Sequence, residues 1–172
     1  FALLLLFVVM FVGVRSFRII LGTFLLLGIG VTWTIGYALL SVGEFNTLSL
    51  IFVVMFFGLG VDFALHYSLR FQEAVGEKIE KSEALVQSGK SVGRAISLGA
   101  VTTAIGFLGF WPTDYQGLAD LGVISAGGML IACFLAFTFL PAFYVVIGPP
   151  RSSGVGLPSS DWLVAWLADS LL

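Results

Sequence analysis

An all-α, polytopic bundle of transmembrane helices is what this 172-residue sequence predicts, and three features carry the prediction. First, 59% of its residues are hydrophobic and only 10% are charged. The mean hydropathy is +1.08, a composition that a water-soluble domain of this size would not tolerate. Second, the apolar residues fall in runs long enough to cross a hydrocarbon core about 30 Å thick, which takes about 20 residues of helix. Third, once five spans are drawn, Arg15, Arg18, Arg70, Lys78, Lys81, Lys90, Arg94 and Arg151 all fall on one side of the membrane. The opposite turns carry Glu44, Asp114 and Asp120. By the positive-inside rule the basic side is cytoplasmic and the N-terminal end lies outside.

Residues 1–14 are too short to span alone and read as the end of a span, closed by Arg15 and Arg18. Because Phe1 opens in mid-run, with no initiator Met and no basic leader region, the sequence is expected to be a piece of a longer protein. Residues 19–42 form the second span, with Gly22, Gly28, Gly30 and Gly36 at intervals suited to close helix packing. A short turn through Gly43 to Asn46 leads into the third span, residues 47–68. Most of the charge lies in the next stretch, where Phe71, Val75, Ile79, Leu85, Val86 and Val92 recur at near-helical spacing among Glu and Lys. That pattern predicts an amphipathic helix over 71–92, lying on the cytoplasmic membrane surface, with a solvated helix as the alternative.

Residues 95–111 make the fourth span, and a turn through Pro112 to Gln116 separates it from a long, tilted fifth span over 118–147. Gly127 and Gly128 lie inside that span and Pro141 near its end. Beyond it, residues 148–172 begin as a Pro/Gly/Ser linker and end as a short interfacial helix bearing Trp162 and Trp166. Together, residues 1–147 form the bundle and residues 148–172 a cytoplasmic tail. Cys133 stands alone and is expected to be a packing residue.

The candidate site is in the third span. Counting inward from Arg70 places Asp62 roughly 12 Å deep, near the middle of the hydrocarbon. A charged side chain there costs at least about 2.5–3.5 kcal/mol, so it is expected to face other helices or water rather than lipid. Gly58, Asp62 and His66 share one helix face at i, i+4 spacing, and Gly58 with Gly60 leaves room for a neighbouring backbone. The functional reading is a proton relay in which Asp62 gains and loses a proton, with His66 one turn nearer the surface and Thr102 and Thr103 offering hydroxyls from the adjacent span. The competing reading makes Asp62 a structural polar residue and has each Thr bonding its own helix backbone. Tyr37, Tyr67 and Tyr115 read as interfacial anchors. No phosphate loop, zinc-ligand spacing or nucleophile–base pair stands in the sequence. The expectation is therefore a non-enzyme without metal or cofactor, and without nucleic-acid partners.

Residues 58–66, GLGVDFALH, resemble the GxxxD(Y/F) motif in the fourth transmembrane helix of resistance-nodulation-division (RND) transporters, in the MMPL branch. Residues 41–46 (SVGEFN), 102–107 (TTAIGF), 112–117 (PTDYQG) and 121–128 (LGVISAGG) also resemble that branch, most of all the first half of hopanoid-associated transporters of Gram-negative bacteria. The resemblance implies that the five spans correspond to helices two to six of a twelve-helix inner-membrane pump driven by the proton-motive force. Further implied are a periplasmic porter domain before the chain, a second transmembrane half after it, and a hydrophobic, hopanoid-like lipid as substrate. The motif's proton-translocating Asp maps onto Asp62, whereas Phe63 stands where many relatives have Tyr, so no hydroxyl is available there. Homo-oligomers are compatible with this picture. The alternatives are a sterol-sensing-like five-helix module that binds a lipid and regulates a partner, and the membrane part of a protein-secretion accessory factor.

Overall fold

The computed structural model describes residues 2–14, 16–43, 51–77 and 79–150. They form five α-helices: α1 (Ala2–Val14), α2 (Phe17–Ser41), α3 (Ile51–Gly76), α4 (Lys81–Leu108) and α5 (Gln116–Ile147). The last four are each long and apolar enough to cross a membrane. The 13-residue α1 is shorter than a span and packs on α2, where Phe7 meets Phe24 edge-on at 5.8 Å. The expected tail helix with Trp162 and Trp166 lies outside the described residues, as does the turn residue Glu44.

Within their apolar stretches the long helices have hydrophobic residues on most sides, yet one side is buried at helical spacing. In α2 the buried side runs through Ile19, Thr23, Leu26, Gly30, Thr34 and Ala38. The other side exposes Leu25, Trp33, Leu39 and Leu40, as a helix does when its outer face meets acyl chains instead of water. The central element is α5, which packs against α2, α3 and α4. Small residues let it come close. A Cβ on Gly122 would stand 2.5 Å from the Phe107 carbonyl oxygen of α4, and one on Gly128 would stand 2.8 Å from Phe52 of α3 and 3.0 Å from Thr34 of α2. Pro141 interrupts the α5 backbone ladder, since it has no N–H to offer the carbonyl of Phe137.

Contacts at the two ends fix an up-and-down arrangement. At one end Gly122 of α5 abuts Phe107 of α4, and the Tyr37 ring of α2 fills the space beside Gly127. At the other, the Arg18 guanidinium at the start of α2 donates to the Pro149 carbonyl just past α5, and the Tyr144 hydroxyl donates to Ser68 Oγ across α5 and α3 at 2.5 Å. Arg18, Arg70, Lys81, Lys90 and Arg94 therefore gather at the second end, whereas Asp114 and Asp120 stand at the first. The segregation expected from the sequence holds for these residues.

The charged stretch is organised differently from the expectation of one surface-lying helix over 71–92. The third helix continues to Gly76, the chain turns, and α4 runs without a break from Lys81 to Leu108. At about 1.5 Å per residue α4 is about 42 Å long, so its first turns stand clear of a 30 Å core. The reason is that the apolar side of this stretch has a protein partner. Phe71, Ala74 and Ala84 are buried, Val75, Ile79, Leu85 and Val92 pack on the same core, and of the six expected apolar positions Val86 is the exposed one. The Tyr67 hydroxyl of α3 ties the hairpin by donating to the Leu85 carbonyl at 3.2 Å. Tyr67 is thus a packed residue and not an interfacial anchor, whereas Tyr115 is 63% exposed. Cys133 is a half-buried free thiol in α5.

The Tyr144–Ser68 contact joins helices far apart in the sequence. Replacing Tyr144 by Phe removes the donor to Ser68 while keeping the ring that packs on Phe71 at 5.2 Å. The expected cost is about 1 kcal/mol, read as a lower thermal midpoint of the purified protein with unchanged helical content.

Candidate functional site

The site is built on the side of α3 turned away from the bundle. Its buried side carries Phe52, Phe56, Gly60, Phe63, Ala64, Tyr67, Phe71 and Ala74. The opposite side is a stripe of exposed residues three or four apart: Ile51, Val54, Gly58, Asp62, His66, Leu69 and Glu73. Large aromatic residues and small ones alternate on the inner side because they interlock with α2 and α5. The ionisable residues Asp62, His66 and Glu73 lie on the outer side instead.

Asp62 lies about 16 Å along the axis from Ile51 and about 12 Å from Arg70. Around it the outer face is apolar or glycine, and the next ionisable side chain along the stripe is His66, one turn toward the basic end. Among the described residues neither Asp62 nor His66 has a hydrogen bond or an ion pair. Arg70 is engaged further along, where its Nη1 meets Glu73 Oε2 at 3.0 Å. No cluster of three or more metal-ligating side chains occurs among the described residues.

The other sequence-derived candidates divide between the two sides. Gly60 is buried, and a Cβ there would come 3.0 Å from Leu27 of α2, so it serves close packing within the bundle. Gly58 faces outward with open space beside it, so any helix packed closely there must come from beyond the described residues. Thr102 is exposed on α4 and its hydroxyl donates to the Leu98 carbonyl at 2.8 Å, the backbone bond that Thr commonly makes in membrane helices. Thr103 is half-buried. Neither threonine is joined to Asp62 by a hydrogen bond among the described residues. Phe63 is 8% exposed and turns inward, away from the Asp62 stripe.

Nothing local in the sequence announces the Ser68–Tyr144 bond, which lies six residues beyond Asp62 on the inner side of the same helix. A hydroxyl inside a span calls for a partner, but that rule does not say which residues pair.

Four helices able to cross a membrane, with α2, α3 and α4 packed on α5, define a polytopic helical membrane protein. Comparison with known proteins then places it. The chain belongs to the MMPL family, whose family model matches residues 1–159. It is 34% identical over 161 residues to the hopanoid transporter HpnN of Burkholderia multivorans, covering 94% of this chain and 18% of that protein. To the hopanoid transporter HpnN of Rhodopseudomonas palustris it is 37% identical over 141 residues, covering 82% of this chain and 16% of the relative. The sulfolipid-1 exporter MmpL8 of Mycobacterium tuberculosis is 30% identical over 94 residues, 55% of this chain and 9% of that protein. The chain thus spans less than a fifth of the length of these relatives.

Proposed function

We propose that this chain is the proton-responsive membrane unit of an RND-type lipid exporter in a bacterial inner membrane, its basic end cytoplasmic and its N-terminal end periplasmic. The observation that carries the reading is the placement of Asp62: an exposed carboxylate well inside a membrane-length helix, on an outer face that also carries Gly58 and His66, in a chain of the MMPL family. Facing acyl chains, it would cost at least about 2.5–3.5 kcal/mol when ionised. A face built this way needs a cover, and Gly58 one turn away leaves space for a closely packed helix. The cover is a further transmembrane half of a longer protein, since the relatives exceed this chain's length more than fivefold. A porter domain belongs to the same longer protein, and oligomers are compatible with it.

In this reading the proton reaches Asp62 when the seam between the two halves opens to one side, and leaves toward His66 when it opens to the other. Neutralising the carboxylate lets the seam close without a buried charge, and ionising it draws the seam open toward water. That is how protonation becomes helix movement. Asp62 and His66 carry the relay. Thr103, half-buried on α4, is the hydroxyl left to assist, since Thr102 already donates to its own helix. The substrate class is a hydrophobic, hopanoid-like lipid, by analogy with the relatives named hopanoid transporters.

The test uses the protein at its natural length in proteoliposomes with an imposed pH gradient and a fluorescent polycyclic lipid. Lipid should leave the donor vesicles while the gradient stands and stop when a protonophore collapses it. Lipid movement at an unchanged rate without a gradient would overturn the proton-driven reading.

A further inference from the structure

The outer face of α4 is unlike the other lipid-facing surfaces, because a pair of cations stands at its head. Lys90 and Arg94 are both exposed, one helical turn apart. Among the described residues neither has a carboxylate partner, in contrast to Arg70, which is paired with Glu73. Glu83 shares the face but lies about 10 Å further out along the axis. Directly inward from Arg94, on the same face, run Leu98, Val101, Ile105 and Leu108, exposed by 60, 45, 63 and 43%.

We propose that this face is a binding site for an anionic phospholipid of the leaflet on the basic side of the membrane. Its phosphate group sits against Lys90 and Arg94, and an acyl chain lies along Leu98, Val101 and Ile105. The dimensions match: Arg94 to Ile105 is about 16 Å along the axis, close to half of a 30 Å hydrocarbon core and so to the depth of one leaflet. The charge matches as well. Two cations without counter-ions at the polar boundary are complementary to a lipid phosphate, and the unit-charge attraction is strongest where the headgroup region borders the hydrocarbon.

A lipid fits this face better than another helix does. Close-packed membrane helices meet through small residues, and the small residues of this part of α4, Gly99 and Gly106, lie off the stripe, which instead presents branched side chains. A covering helix would also have to bring carboxylates opposite Lys90 and Arg94. The Asp62 face of α3 is the opposite case, with a glycine notch and an acidic group.

Native mass spectrometry of the purified protein tests the assignment, with phosphatidylglycerol and phosphatidylcholine of identical acyl chains as probes. Each cation is expected to favour the anionic lipid about fivefold, so the pair gives a preference of about 25-fold. Lys90→Gln with Arg94→Gln should bring the two lipids level, whereas Arg70→Gln, which removes an already paired cation, should leave the preference in place. Lys90→Arg with Arg94→Lys keeps both charges and should keep the preference. Equal binding of the two lipids by the unaltered protein, persistence of the preference in the double Gln variant, or equal loss in Arg70→Gln would each overturn the proposal.

Discussion

Asp62→Asn in the natural-length protein should reduce proton-driven lipid efflux to the level of vesicles without transporter, while leaving the fold intact. Asn is nearly the same size and stays polar, yet it has no charge to gain or lose. In this bundle the residue is exposed and has no hydrogen-bonding partner among the described residues, so its replacement disturbs no described packing. Surface changes of that kind alter stability by no more than about 0.5 kcal/mol. The combination is what distinguishes the relay from a structural role: a structural Asp62 would lower the thermal midpoint along with transport, and a lipid-binding regulatory module would keep its lipid affinity in the variant. Efflux at an unchanged rate in Asp62→Asn would remove the relay altogether. Asp62→Glu keeps an ionisable group one methylene further out and should retain part of the activity.

The second large effect is expected at Gly122, on stability. Its Cβ position lies 2.5 Å from the carbonyl oxygen of Phe107 and 3.1 Å from Phe110 Cβ, so the obstacle is largely backbone that cannot rotate away. Overpacking costs about 1–3 kcal/mol in general, and a backbone obstacle puts Gly122→Val at the upper end of that range. The change should lower the thermal midpoint of the purified protein markedly and loosen α4 from α5. Gly106→Ala is the matched control. Nothing stands within 4 Å of its Cβ position, and Ala favours a helix by up to about 1 kcal/mol over Gly, so that variant should be neutral or slightly more stable. If both variants behaved alike, glycine content and not close approach would be setting the stability.

How much of this was readable in advance varies by residue. The helical, multi-span class follows from hydropathy alone, and Asp62 is conspicuous because an acid inside an apolar run has so few uses. Hydropathy also separates spans poorly from their extensions. An amphipathic stretch reads the same whether its apolar side meets lipid or protein, which is why residues 71–92 pointed to a surface helix when they form the head of the α3–α4 hairpin. Glycines posed a similar problem. Gly22 and Gly30 of α2 sit against Phe143 and Phe56, whereas Gly28 and Gly36 face open space, and only the packing partners distinguish them. Gly58 and Gly60 divide the same way, being about 200° apart around the helix axis. The Tyr144–Ser68 bond joins positions 76 residues apart, beyond any local pattern.

Pro141 divides α5 into two levers in series. Above it, the glycine contacts at 122, 127 and 128 seat the helix on α2, α3 and α4; below it, Tyr144 grips Ser68 and Phe143 lies against Gly22. With the ladder bond to Phe137 gone, the joint bends at less cost than any other point along the rod. A twist of α3 passed through Ser68 would therefore bear first on the lower arm, whereas the upper arm has its own glycine contacts to hold it.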